Sequence, residues 1–211
     1  MASSRTVAAE TVPQRVSLTH RVGGTYNEHG RCDGVGDHGQ QTGGGVCLAT
    51  DERQYTAVSP EAYLRCAEER VLDAQCLHEA GRYGAAHYVA GVAVECVLRA
   101  YWGRRKPGRF YAGHALRRLC NEARFLDYLP NTDETQVTVR AALGVVESRW
   151  LNSHRFRDEV GLRRWLQESG LDPRVSKAKA LRVSSEQIVE AAVEIIVYGR
   201  QSWRRQPHGS G

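Results

Sequence analysis

The stretch from Gly84 to Trp102, GAAHYVAGVAVECVLRAYW, is apolar around most of a helical circumference. A segment of that length and pattern has to be covered on several sides, so it reads as the central helix of a core. Glu95 and Arg99 interrupt it, and it falls short of the run of about 18 apolar residues that a membrane span requires. The chain is therefore expected to be free of membrane spans. An ionised carboxylate alone in such a helix would be costly, so Glu95 needs a partner, and an arginine at a helix joint is the expected one.

Helical periodicity continues on both sides of this segment. Ser59-Pro60-Glu61 offers an N-cap hydroxyl, a proline at the first helical position and an acid at the helix N-terminus. Tyr63, Ala67, Val71, Ala74 and Leu77 then recur at three- and four-residue spacing up to Gly81, a suitable left-handed cap. Gly103 is expected to end the central helix, and the basic turn GRRKPGR that follows suits a helix C-terminus. A third helix is predicted from near His114 to Pro130. A longer fourth is predicted from about Asp133, with Asn152-Ser153 as its interruption. Val160 to Leu166 reads as a short fifth helix, and the last is expected to open on a Ser184/Gln187 capping box and to run to Gly199. No segment shows strand alternation. The expected fold is an all-α, up-and-down bundle of five to six helices spanning residues 59–203, followed by a flexible tail at 204–211.

Residues 1–58 differ in kind. They hold nine glycines between Gly23 and Gly45 and few aliphatic residues, a composition too poor in apolar surface to offset the entropy of ordering, and are read as a disordered arm. His29, Cys32, His38 and Cys47 match no zinc-finger spacing, and no metal or cofactor is expected. The six cysteines include no CxxC pair and read as reduced, packed thiols. MASSRTVAAETVPQ has no apolar signal-peptide core, and a cytoplasmic protein is expected. Of the formal charge of +5, residues 1–58 hold five Lys/Arg against six Asp/Glu, which leaves 24 against 18 for the rest. That balance permits a polyanionic partner.

The chain contains no Gly-rich phosphate loop, no GxSxG elbow, no HExxH and no carboxylate pair at metal-ligand spacing. What remains is the joint SRWLNSHRFRDE, with Arg149, His154 and Phe156. Five residues along an unbroken helix would turn His154 about 140° away from Arg149, so a shared site requires the helix to end between them. Asn152-Ser153 supplies that break. His87 and His114 read as polar residues at helix ends or in a groove, and Trp165, Tyr198 and Trp203 as core or dimer contacts.

Three stretches together, SPEAYLRCAEERVLDAQCLHEAGRYGAAHYVAGVAVECVLRAYW, GHALRRL and RWLNSHRF, resemble the HEPN domain family over residues 59–203. The first is similar to that family's opening helix pair, the last to its Arg-x4-6-His motif. The resemblance implies a homodimeric bundle acting as a metal-independent ribonuclease, a toxin–antitoxin or RNA-processing component. Arg149 and His154 would be its catalytic residues in a cleft between protomers, with Glu95, Asn152 and Phe156 in support and Glu95 orienting Arg149 or His154. Cleavage through a 2′-hydroxyl needs a base, an acid and a cation at the phosphoryl group, which two copies of an Arg–His couple supply. Two positions depart from the family. Trp150 stands where a small polar residue is common, and Phe156 where toxin-type members carry an acceptor tyrosine. They keep open a second reading, a catalytically silent module that binds a nucleotide or a partner nucleotidyltransferase.

Overall fold

Ser59 caps the first described helix, as the sequence suggests. Its Oγ accepts the Ala62 N–H at 3.1 Å, Pro60 occupies the first turn, and helix α1 (Pro60–Glu79) follows. Gly81 adopts φ +75°, and the Arg82 N–H reaches back to the Leu77 carbonyl at 2.8 Å. This tight turn folds α2 (Tyr83–Arg105) back along α1, so that Gly103 near the end of α2 lies against Pro60 at the start of α1. The computed structural model describes residues 58–109, 113–171, 175–176 and 179–205. The Gly-rich arm, with its candidate ligands His29, Cys32, His38 and Cys47, lies outside the described residues.

α2 is the centre of the core. Ala86, Ala90, Ala93, Val94, Val97, Leu98, Ala100 and Tyr101 have no exposed surface. α1, α3 (Leu116–Ala123) and α6 (Ala180–Arg205) pack against it, α5 (Glu159–Glu168) touches it more lightly, and α4 (Asp133–Arg149) packs on α6. Two 3-10 turns, Phe125–Tyr128 and Asn152–Phe156, complete the elements. The fold is an all-α helical bundle with no strand among the described residues, and none of its described helices is long and apolar enough to cross a membrane. At the α2–α6 contact the Tyr101 hydroxyl donates to the Gly199 carbonyl at 2.6 Å, and Phe125, Tyr128 and Trp203 surround its ring at 5.0–5.1 Å. Trp203 is thus a core residue, and Tyr198 packs partly buried against the same core.

Several boundaries differ from their sequence expectation; α2 runs past Gly103, its expected end, to Arg105. The third helix stops at Arg124, which takes the left-handed conformation (φ +52°), and the chain continues to Leu129 as a 3-10 turn. The fourth ends earlier than Asn152-Ser153, because Trp150 and Leu151 are extended. Leaving the helix there drives the Trp150 indole into the core, where Nε1 donates to the Tyr88 carbonyl at 3.0 Å. Asn152 and Ser153 open the 3-10 turn instead. The last helix begins at Ala180 rather than Ser184 and runs on through Arg205. Ser184 and Ser185 are buried in its interior; Ser185 Oγ meets His78 Nδ1 at 2.9 Å, and Ser184 Oγ is enclosed without a hydrogen-bond partner, so neither hydroxyl caps the helix.

Candidate functional site

The joint from Arg149 to Arg157 sends its side chains in two directions. Arg149, the last residue of α4, is half-buried. Its Nε donates to Gln187 Oε1 on α6 at 2.9 Å, and its Nη1 to Ser148 Oγ at 3.1 Å. His154 is only 3% exposed. Its Nδ1 accepts the Leu151 N–H at 3.3 Å, so in the neutral ring the proton sits on Nε2, an atom with no polar partner. The Trp165 ring lies edge-on to His154 at 4.4 Å, and His87 of α2 lies tilted at 5.5 Å.

His87 has no exposed surface and both ring nitrogens lack partners, a placement that its reading as a helix-end or groove residue missed. A histidine one turn from Gly91, in a helix already apolar all round, is the sequence signal for a core imidazole. Burial, and after it the charges of His154 and Arg149, holds the His87 pKa down to about 3. Burial, and after it the charge of Arg157, brings His154 to about 4. Both rings are therefore uncharged near neutral pH.

These two rings make the fold acid-sensitive. Their folded pKa values lie below the unfolded value near 6.5, so the unfolded chain takes up protons first as pH falls. Stability is full above about pH 6.5 and declines through the window down to about 4 for His154 and about 3 for His87. The expected slope is up to about 1.4 kcal/mol per pH unit for each ring. Urea unfolding of wild type and His87→Leu between neutral pH and pH 4 measures it. The variant removes one ring and should show a visibly shallower decline; equal slopes would disprove the assignment.

Glu95 is placed away from the joint pair. It accepts from Arg99 Nε at 2.8 Å, one turn along α2, and lies 3.0 and 3.2 Å from His114 Nδ1 through its two oxygens. Arg99 Nη2 also donates to the Gly113 carbonyl at 2.9 Å. Its partners are thus Arg99 and His114, rather than Arg149, His154 or an arginine at the joint. The i,i+4 spacing of Glu95 and Arg99 was the available signal. The carboxylate orients the half-exposed His114 ring at the edge of an open groove of about 400 Å³, lined also by Arg117, Glu147, Trp150 and Asn152. His114 is the groove residue the sequence suggested. Arg117 and Glu147 pair at 2.9 Å across α3 and α4.

Outward from the joint stands Phe156, 77% exposed, with the Arg155 guanidinium 4.6 Å above its ring centroid. Arg157 is exposed beside it. The structure thus places Arg149 and the buried His154/His87 pair at one corner, Asn152 in the groove, and Phe156 in solvent. Among the described residues no cluster of three or more His, Cys, Asp or Glu side chains is arranged to hold a metal ion. Compared with known proteins, the chain matches no family model, no curated protein and no solved structure.

Proposed function

We propose that the chain is a HEPN-like helical module that binds RNA or a nucleotide at the joint after α4, and that it is silent as a nuclease. The orientation of one ring carries this reading: His154, the residue a nuclease would need as acid and base, is sealed against His87 and Trp165. Acid–base catalysis requires a group that reaches the reacting proton and exchanges it near the working pH. An enclosed imidazole that stays neutral down to about pH 4 does neither. The outward side of the same joint supports binding. An exposed aromatic ring with a guanidinium over it, next to further arginines, is a stacking platform for a base beside cations for its phosphates.

Fluorescence anisotropy of a labelled single-stranded RNA, in EDTA, tests the proposal. Wild type is expected to bind with an affinity that falls as salt rises. Phe156→Ala should weaken binding by about 5- to 150-fold, the equivalent of one lost stack of about 1–3 kcal/mol. The RNA should stay intact with wild type and with His154→Ala alike. Cleavage by wild type that His154→Ala abolishes would overturn the silent reading in favour of the ribonuclease and its homodimer cleft. Absence of RNA binding, together with a nucleotidyltransferase that co-purifies with the chain, would move the joint to the protein-partner reading.

A further inference from the structure

The α1–α2 hairpin brings two thiols together from positions 30 residues apart: Cys66 Sγ and Cys96 Sγ lie 3.7 Å from one another. Their surroundings are unequal. Cys66 is half-buried and reaches solvent, and the Arg70 guanidinium, one turn further along α1, interacts with its sulfur as well as with Asp73. A thiol that reaches solvent is the one an oxidant meets first. Cys96 is buried at 8% exposure. Burial, and after it the neighbouring Cys66, pushes its thiol up to about 12, so it keeps its proton and is shielded from oxidants in solution. One thiol is thus open to attack, and the second is stored behind it.

We propose that Cys66 and Cys96 form a redox modification site, in which a peroxide oxidises Cys66 and Cys96 closes a reversible disulfide across the hairpin. In the first step the Cys66 sulfur attacks a peroxide oxygen and the O–O bond breaks. The departing hydroxide takes a proton to become water, and Cys66 is left as a sulfenic acid, oxidised by two electrons. In the second, the Cys96 sulfur displaces the sulfenic hydroxyl, and the Cys96 proton passes to that hydroxyl as it leaves as water. Two thiols and one hydrogen peroxide give one disulfide and two waters. Direct transfer of the proton to the leaving group spares the interior a free thiolate. Bond formation at about 2.0 Å asks the sulfurs to approach by about 1.7 Å, a movement on the scale of side-chain rotation with a slight helix shift.

The test exposes the full chain to hydrogen peroxide, denatures it in N-ethylmaleimide to cap every remaining thiol, and maps the peptides by mass spectrometry. A peptide pair joining Cys66 to Cys96 is expected, lighter by about 2 Da than the two thiol peptides and separated again by dithiothreitol. Cys66→Ser, a change at a half-buried position checked by its helical circular dichroism, should leave Cys96 fully capped by maleimide. Accumulation of Cys66 as sulfinic or sulfonic acid with Cys96 still capped would overturn the proposal. So would a cross-link that joins Cys66 only to other cysteines. The wild-type map alone decides between these outcomes, so a misfolded variant does not blunt the test.

Discussion

Replacing Gly91 with alanine is expected to destabilise the bundle by about 3–5 kcal/mol, the cost of losing a buried tryptophan from the core. A Cβ on Gly91 would fall 2.0 Å from Trp150 Cδ1 and 2.2 Å from Cγ and Nε1, so it meets the body of the indole rather than the tip of a flexible chain. The ring is 3% exposed, and Nε1 is tied to the Tyr88 carbonyl on the same helix as Gly91, so small adjustments do not clear the overlap. Relief requires the indole to leave, which forfeits its burial and its hydrogen bond and frees the end of α4. Gly144→Ala in α4 is the control. A Cβ there meets nothing within 4 Å, and that change should stabilise by about 0.5–1 kcal/mol through helix propensity alone. Urea titrations of both variants measure the contrast; a loss below about 1 kcal/mol for Gly91→Ala would show that Trp150 is not the wedge that fixes the joint.

That same wedge explains what the amino-acid order discloses and what it hides. Helix α1 was legible because its signals are local: a serine cap, a proline and an apolar recurrence ending on glycine, each with a role settled within a few residues. The exit of α4 was not. Asn152 and Ser153 are the residues that prefer to leave a helix, yet the chain leaves at Trp150, because a gap at Gly91, 59 positions earlier, accepts its ring. Likewise Ser184 reads as a cap but is fully buried, since its surroundings are fixed by packing rather than by its neighbours in sequence. For the candidate site, the spacing of Arg149 and His154 singled out a joint between helices. Which way each ring points depends on His87 and Trp165, contributed by α2 and α5, and no local pattern carries that. Glu95 was marked as needing a partner by its apolar helix, and the partner stood one turn away.

Glu95→Gln should cost about 3–5 kcal/mol, because it breaks a buried ion pair from one side by taking the Glu95 charge away from the Arg99 guanidinium, itself only 7% exposed. Salt should alter this loss little, since a pair withdrawn from solvent is weakly screened. A double change, Glu95→Leu with Arg99→Met, separates two roles of the pair. Burying matched apolar side chains is often neutral or better than burying charges, so most of the stability should return in urea titrations. The positioning role should not return with it. Arg99 no longer holds the Gly113 carbonyl, Glu95 no longer holds His114 Nδ1, and the segment entering α3 loses both tethers. Amide exchange at residues 113–115 should therefore stay fast in the double variant even where the global stability equals that of the wild type. Slow exchange in that variant would mean that the segment is held by its own packing, and that the carboxylate contributes stability without orienting the imidazole. Fast exchange would make the Glu95–Arg99 pair the feature of α2 that sets the edge of the groove.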